Sequence, residues 1–473
     1  MAIEFAQSPL VTFALALAAI VLLLVVLDLP AFVGLIIAAF FVGLLNAVFV
    51  PDFAAAQAAT EVAEAFGNGM AGIGIPILMA AVIGKSMIES GAAQRIVRGF
   101  QSLLGSGNSD IALWGSSSFL AVPVFFDSVF YLMAPLARSM RARVGRDYTL
   151  FIVVVGAGAA TTHVFVPPTP GPLAVVDQLA SGIPGRGMND FLGMTILLGI
   201  ATAIPSAFFG GLVYGRWINR RLDIPLRDTM ATTTEELEEL ADRDTSRLPG
   251  VIESAAPVLL AVVLVGALTF ANSFESVFPI LSDIRPYLAF LGDKNVALTI
   301  AALVAAYTYY RHSGMDREEW TEELTEALKS GGNIAAITAA GGAFGALLAA
   351  SGIGEYITDL LAAIGIPLLV SAWLIAAIVR IAQGSATAAM LTAAGIMAPQ
   401  MPDLAVHPAF MVMAIGAGGN ICSWYPDSGF WLVKEIGGLT QSETLKTWTV
   451  LTTIVSVTGL ITTLVLSRAA MLL

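Results

Sequence analysis

Apolar residues run through this chain in long blocks, with short polar seams between them. Uninterrupted blocks fall at roughly 9–28, 31–50, 189–215, 253–272, 295–310 and 447–467. Each approaches the ~20 residues that carry a helix across the hydrocarbon core of a bilayer. A second set, around 70–89, 110–136, 148–180, 332–350, 366–400 and 405–436, is also apolar but interrupted by Gly, Pro or Ser. Together they predict about ten to twelve membrane elements, some of them not simple spans. Lipid offers no water to backbone polar groups, so blocks of this length must be helical. The expected fold is an all-α polytopic membrane protein with discontinuous, broken or re-entrant helices.

Composition agrees with that pattern. Of 473 residues, 57% are hydrophobic and 12% charged, and mean hydropathy is +0.82; soluble chains carry about 25% charged residues. The run from Val11 to Leu27 lacks a basic leader and a small-residue cleavage pattern, so it reads as a permanent span rather than a signal peptide. The lone cysteine, Cys422, excludes an intramolecular disulfide and a cysteine-held metal cluster. His163, His312 and His407 have no metal-ligand spacing, and no nucleophile–base pair stands out. No metal, no cofactor and no enzymatic activity are expected, and without a basic stripe no nucleic-acid partner either. The net charge is −12, with acids gathered in polar segments such as Glu235–Asp244 and Asp316–Glu326. Solvated loops account for part of this. Acid-rich, Lys-poor surfaces also suit a high-salt cytoplasm, and a halophilic, archaeal host is expected.

Basic residues cluster at Arg138, Arg141, Arg143 and Arg146, and again at Arg216, Arg220, Arg221 and Arg227. By the positive-inside rule both clusters face the cytoplasm. The second opens the one long polar stretch, whose Thr-Glu-Glu run reads as a short surface helix, and it divides the chain into similar halves. Ser90-Gly91 aligns with Ser351-Gly352, Ile96 with Ile357, Thr60-Glu61 with Thr321-Glu322, and Gly156-Ala-Gly with Gly416-Ala-Gly. Residues 52–67 hold acids but no Lys or Arg, whereas their counterpart, 311–331, holds Arg311, Arg317 and Lys329. Matching elements on opposite sides imply an inverted repeat, with substrate and ion sites near the midplane. The expected division is N-terminal spans 1–50, a first repeat 51–216, a cytoplasmic linker 217–250, connecting spans 251–310 and a second repeat 311–473.

Four breaks could carry chemistry. Asp127, in Pro123-Val-Phe-Phe-Asp-Ser, lies deep in an apolar run. A charge there costs at least a few kcal/mol, so it faces a cavity or pairs with an Arg; a carboxylate at that depth can also hold and pass on a proton. Next comes His163-Val-Phe-Val-Pro-Pro-Thr-Pro-Gly-Pro172. Its prolines cannot continue a helix. His163 is either a proton carrier or a packing residue, while Thr169 and Gly171 stand where a new half-helix, positive at its start, begins. Arg380 sits between two apolar runs, to bind a substrate carboxylate or to neutralise a protein one, and Gln383, Ser385 and Thr387 beside it suit polyol recognition. Finally, the segment from Asn420 to Trp431, with Asp427, Ser428 and Gly429, reads as another broken helix or as an external loop with interfacial aromatics.

The strings His-Val-Phe-Val-Pro-Pro-Thr-Pro-Gly-Pro-Leu-Ala at 163–174, Phe-Phe-Asp at 125–127, Arg-Ile-Ala-Gln-Gly-Ser-Ala-Thr at 380–387 and Asp-Ser-Gly-Phe-Trp-Leu at 427–432 resemble the gluconate permease (GntP) family, in the right order along nearly the whole chain. At Ser423-Trp-Tyr-Pro the chain departs from the family's more polar segment. The resemblance implies a secondary transporter in the cell membrane that imports gluconate or a related sugar acid by proton symport. Its implied substrate contacts are Thr169, Gly171, Arg380, Gln383, Ser385, Thr387, Asn420, Asp427 and Ser428, with Asp127 and His163 coupling the proton. Sodium in place of the proton, or the membrane subunit of an ion-pumping decarboxylase, are the rival readings. Partners are then a small organic anion, a proton or sodium, membrane lipid and a further copy of the chain.

Overall fold

The computed structural model describes residues 9–27, 29–51, 53–122, 125–227, 248–274, 280–353, 356, 363, 365–424 and 427–472. The expected surface helix after Arg227 and the alignment at Ile357 lie outside the described residues. Among those described, every regular element is a helix.

The chain opens with α1 (Pro9–Ile20) and α2 (Ala31–Phe49). The long α3 (Ala55–Glu89) follows, then the short amphipathic α4 (Ala92–Leu104). A helical hairpin comes next, α5 (Ser109–Leu120) and α6 (Phe126–Val144). The prolines then split one span into α7 (Tyr148–Phe165) and α8 (Pro170–Ser181), and α9 (Met188–Asn219) crosses back. Connecting helices are α10 (Val251–Phe274), α11 (Ile280–Leu291) and α12 (Lys294–Ser313). The remainder repeats the earlier order: a long α13 (Arg317–Ala350), a hairpin of α14 (Leu368–Gln383) and α15 (Ala386–Met397), a broken span of α16 (Ala409–Gly419) and α17 (Ser428–Gly437), and a last long helix α18 (Gln441–Ala470). The two long helices have 35 and 34 residues, and the second halves of the two broken spans have 12 and 10.

Among the described residues seven helices are long and apolar enough to cross a bilayer, or eight counting the α11–α12 pair bent by 65°. The other expected elements are shorter or interrupted helices rather than simple spans. They occupy the windows around 9–28, 110–136, 366–400 and 405–436, the last three each holding a pair of helices. Two of the breaks have an evident local cause. Gly384 closes α14 at φ 85°, a left-handed conformation that favours glycine, and the Ser385 hydroxyl then caps α15 by accepting from the Ala388 amide at 3.3 Å. The Pro167–Pro172 run ends α7, and Pro170 restarts the chain at the first position of α8, where a missing N–H costs nothing.

The broken span is the centre of the molecule. Across residues 148–181 the most apolar window is 94% buried, against 39% for α2. Close approach of neighbours holds the break. A Cβ placed on Gly416 would overlap the Val164 carbonyl oxygen, and one on Gly199 would overlap that of Phe165. These are carbonyls of the last turn of α7, so any side chain there must push the break aside. Gly416→Val should therefore cost about 1–3 kcal/mol by overpacking, seen as a lower melting temperature in detergent and lost transport. Gly332, where an added Cβ would meet nothing within 4 Å, is the control: Gly332→Ala should leave both unchanged or slightly improved.

Candidate functional site

Four helix N-termini meet at one cavity of about 200 Å³. Phe126 and Asp127 come from the first turn of α6, Pro170 from α8, Ser385 and Thr387 from the start of α15, and Ser428 and Gly429 from α17. Two hairpin tips and two helix breaks supply these ends. Each N-terminus carries a partial positive charge of about half a unit. The end of α8 contributes fewest donors, since Pro170 and Pro172 have no N–H. Such a convergence attracts an anion.

Arg380, on the last turn of α14, adds a full charge and is 3% exposed. Its Nη2 donates to Asp427 Oδ2 at 2.5 Å. The same oxygen accepts from the Ser423 hydroxyl, and Ser423 Oγ in turn accepts from Trp448 Nε1 at 2.5 Å. The other carboxylate oxygen of Asp427 caps α17, accepting from the Gly429 amide at 2.9 Å. Asp427 is thus engaged at both oxygens, while Nε and Nη1 of Arg380 are buried without partners. Asn420 Nδ2 and His163 Nδ1, whose residues also line the cavity, are buried and unpartnered too. A buried polar group left unpaired costs about 1–3 kcal/mol, so the cavity leaves these groups unsatisfied.

Asp127 is exposed to the cavity and has no ion pair among the described residues. It lies within electrostatic reach of Asp427. The adjacent Phe126 ring stacks on Trp448, centroids 4.9 Å apart, and so positions the hairpin tip against α18. Of the residues singled out in the sequence, Asp127, His163, Arg380, Ser385, Thr387, Asn420, Asp427 and Ser428 line this one cavity. Thr169 and Gly171 do not. The Thr169 hydroxyl is buried and donates to the Val166 carbonyl at 2.7 Å, and Gly171 packs against Met390. The side chain of Gln383 lies outside the described residues. Asp427, at the break before α17, is only 8% exposed and so does not lie on an external loop. Arg380 neutralises a protein carboxylate and retains unpaired donors at Nε and Nη1.

Ser423, Phe126 and Trp448 were not anticipated. Trp448 opens what reads as an ordinary apolar span, and nothing in that run marks it out. Ser423 falls where the chain departs from the family pattern, and its single hydroxyl links Trp448 to Asp427.

A ring of half-helix ends enclosed by apolar spanning helices defines a multi-pass membrane transport protein. The chain belongs to the GntP permease family: residues 8–469 match the family described as GntP family permease. It is therefore a multi-pass protein of the cell membrane and not an enzyme. It is 35% identical to a gluconate permease of Pseudomonas aeruginosa, over 92% of each chain. It is 31% identical to the high-affinity gluconate transporter of Escherichia coli, over 97% of this chain and 99% of that one. The Gnt-II system L-idonate transporter of the same species is 30% identical over 96% and 98%. The fold is similar to that of the Alcanivorax borkumensis YdaH transporter, a structure described as having an unusual topology, with a TM-score of 0.61 at 15% identity, covering 93% of this chain and 98% of that one.

Proposed function

We propose that this permease imports gluconate or a closely related sugar acid together with a proton. One observation carries the reading: unpartnered buried polar groups of Arg380, Asn420 and His163 surround a cavity built from four helix N-termini. A substrate carboxylate accepts a charge-assisted hydrogen bond from the free Nε or Nη1 of Arg380, which lie on different edges of the guanidinium. The polyol chain beyond it needs groups that donate and accept, which Thr387, Ser428 and Asn420 provide. The relatives named for gluconate and L-idonate support the same substrate class.

Asp127 is the proton carrier in this reading, since it is the carboxylate of the cavity that no cation holds. A proton and a monocarboxylate entering together move no net charge, so a pH gradient drives accumulation. The site alternates in exposure through an inverted repeat, with residues 51–216 and 311–473 as its halves, 217–250 as a cytoplasmic linker and 1–50 and 251–310 as flanking spans. Support comes from the recurring order of long helix, hairpin, broken span and long helix. The coupling test is uptake into liposomes under an imposed pH gradient and, separately, an imposed sodium gradient. Uptake that follows pH alone is expected; uptake that follows sodium alone refutes proton coupling.

Thr387 and Ser385 separate substrate contact from helix capping. The Ser385 hydroxyl is committed to the α15 cap, so Ser385→Ala also loosens that helix, by about 0.5–2 kcal/mol. Thr387→Val changes only a hydroxyl that lines the cavity. It should raise the apparent KM for gluconate about 2- to 12-fold, as one net hydrogen bond of roughly 0.5–1.5 kcal/mol implies, with an unchanged melting temperature. An unchanged KM removes Thr387 from the site.

A further inference from the structure

The cytoplasmic end of α9 carries a second, larger concavity, of about 660 Å³, which shares no lining residue with the transport cavity. Its floor is apolar and faces outward: Phe208 is 43% and Val213 46% exposed. Its rim is cationic, formed by Arg216, Arg220 and Arg221 with Trp217 among them. The Arg221 guanidinium lies 4.0 Å from the Trp217 ring centre, which holds it over the groove. Arg216 is engaged, both Nε and Nη2 donating to Asp110 Oδ2 at 3.0 and 2.8 Å. Arg220 and Arg221 have no carboxylate partner among the described residues. The residues from Phe208 to Val213 form a π-helical turn, a widening that recurs at functional sites. Floor and rim lie about 10 Å apart along the axis at 1.5 Å per residue. That is the vertical order of a phospholipid, acyl chain below and phosphate above.

We propose that this groove binds an anionic phospholipid of the cytoplasmic leaflet. Arg220 and Arg221 hold its phosphate, Trp217 sits at the glycerol level and an acyl chain covers Phe208 and Val213. Three arginines on one helix end stand out in a chain of net charge −12. Setting membrane orientation requires only their charge. It requires neither an apolar groove beneath them nor a guanidinium stacked on a tryptophan. The site also touches the transport machinery, because Asp110 lies in the first turn of α5, the arm of the hairpin that presents Asp127. A bound lipid phosphate would press against the ion pair that anchors this arm.

The test is native mass spectrometry of the purified full chain mixed with phosphatidylglycerol or phosphatidylcholine. Wild type should retain phosphatidylglycerol in preference. Arg220→Gln with Arg221→Gln should weaken that retention about fivefold per arginine, at ~1 kcal/mol per charge near the interface, and should not change retention of phosphatidylcholine. The Lys pair, Arg220→Lys with Arg221→Lys, should keep most of the preference, which separates charge from misfolding. Trp217→Ala should weaken phosphatidylglycerol retention with both arginines in place. Equal retention of the two lipids by wild type overturns the proposal, as does undiminished retention by the Gln pair. Displacement of the lipid by soluble glycerol phosphate at matched concentration would make this a phosphate site and not a lipid site.

Discussion

Liposomes carrying Asp127→Asn are expected to show no accumulation of gluconate under an inward proton gradient, while still exchanging internal for external substrate. Asn has the shape of the protonated carboxyl but cannot release a proton. The half-cycle that returns the empty, deprotonated carrier is then lost, whereas exchange keeps the site loaded throughout. The geometry favours Asp127 over Asp427 for this role. Asp427 is committed to Arg380, Ser423 and the α17 cap, while Asp127 faces the cavity without an ion pair among the described residues. His163→Gln should impair transport less, because an amide can still meet a substrate hydroxyl from the same position. Accumulation by Asp127→Asn at the wild-type level would remove this residue from coupling.

The second large effect is expected at Arg380. Arg380→Gln removes the charge that receives the carboxylate and leaves Asp427 buried without its counter-ion. Charge-assisted hydrogen bonds contribute about 1.5–3 kcal/mol, so the apparent KM should rise roughly 10- to 150-fold. Breaking a buried pair costs a further 3–5 kcal/mol in stability, read as a lower melting temperature. Asp427→Asn separates these effects. It strips Arg380 of its protein partner but keeps the guanidinium, so the empty protein should melt lower while gluconate stabilises it more than it stabilises wild type. If gluconate shifts the melting of Arg380→Gln as much as that of wild type, Arg380 does not hold the carboxylate.

The sequence revealed this site where residues were energetically out of place. Asp127, Arg380 and Asp427 lie in apolar runs and Pro167–Pro172 cannot continue the helix before it, so each announces a cavity or a break. The residues that complete the site carried no such cost. Trp448 belongs naturally in a span, and Ser423 is one of many small polar residues; only the packing of α6, α14, α17 and α18 brings them to Asp427. Thr169 and Gly171 show the converse. They sit at the right helix start, yet rotation about the α8 axis turns them toward Val166 and Met390, and nothing in one sequence sets that rotation. Element lengths followed the same logic. Windows of hydropathy located 70–89 and 332–350, the parts within hydrocarbon, but α3 and α13 continue through polar turns such as residues 55–67 and 317–329. The hairpins were hidden for the opposite reason: a chain that turns back inside a protein-lined cavity can stay as apolar as one that crosses.

Counterflow of radiolabelled gluconate into liposomes containing only this protein, preloaded with unlabelled gluconate, tests the central claim most directly. A transient overshoot of label is predicted, abolished by Arg380→Gln, retained by Asp127→Asn, and competed by sugar acids but not by the corresponding uncharged sugars. Absence of overshoot from correctly folded wild-type protein, or competition by uncharged sugars as strong as by sugar acids, would contradict a carboxylate-binding transport site at this cavity.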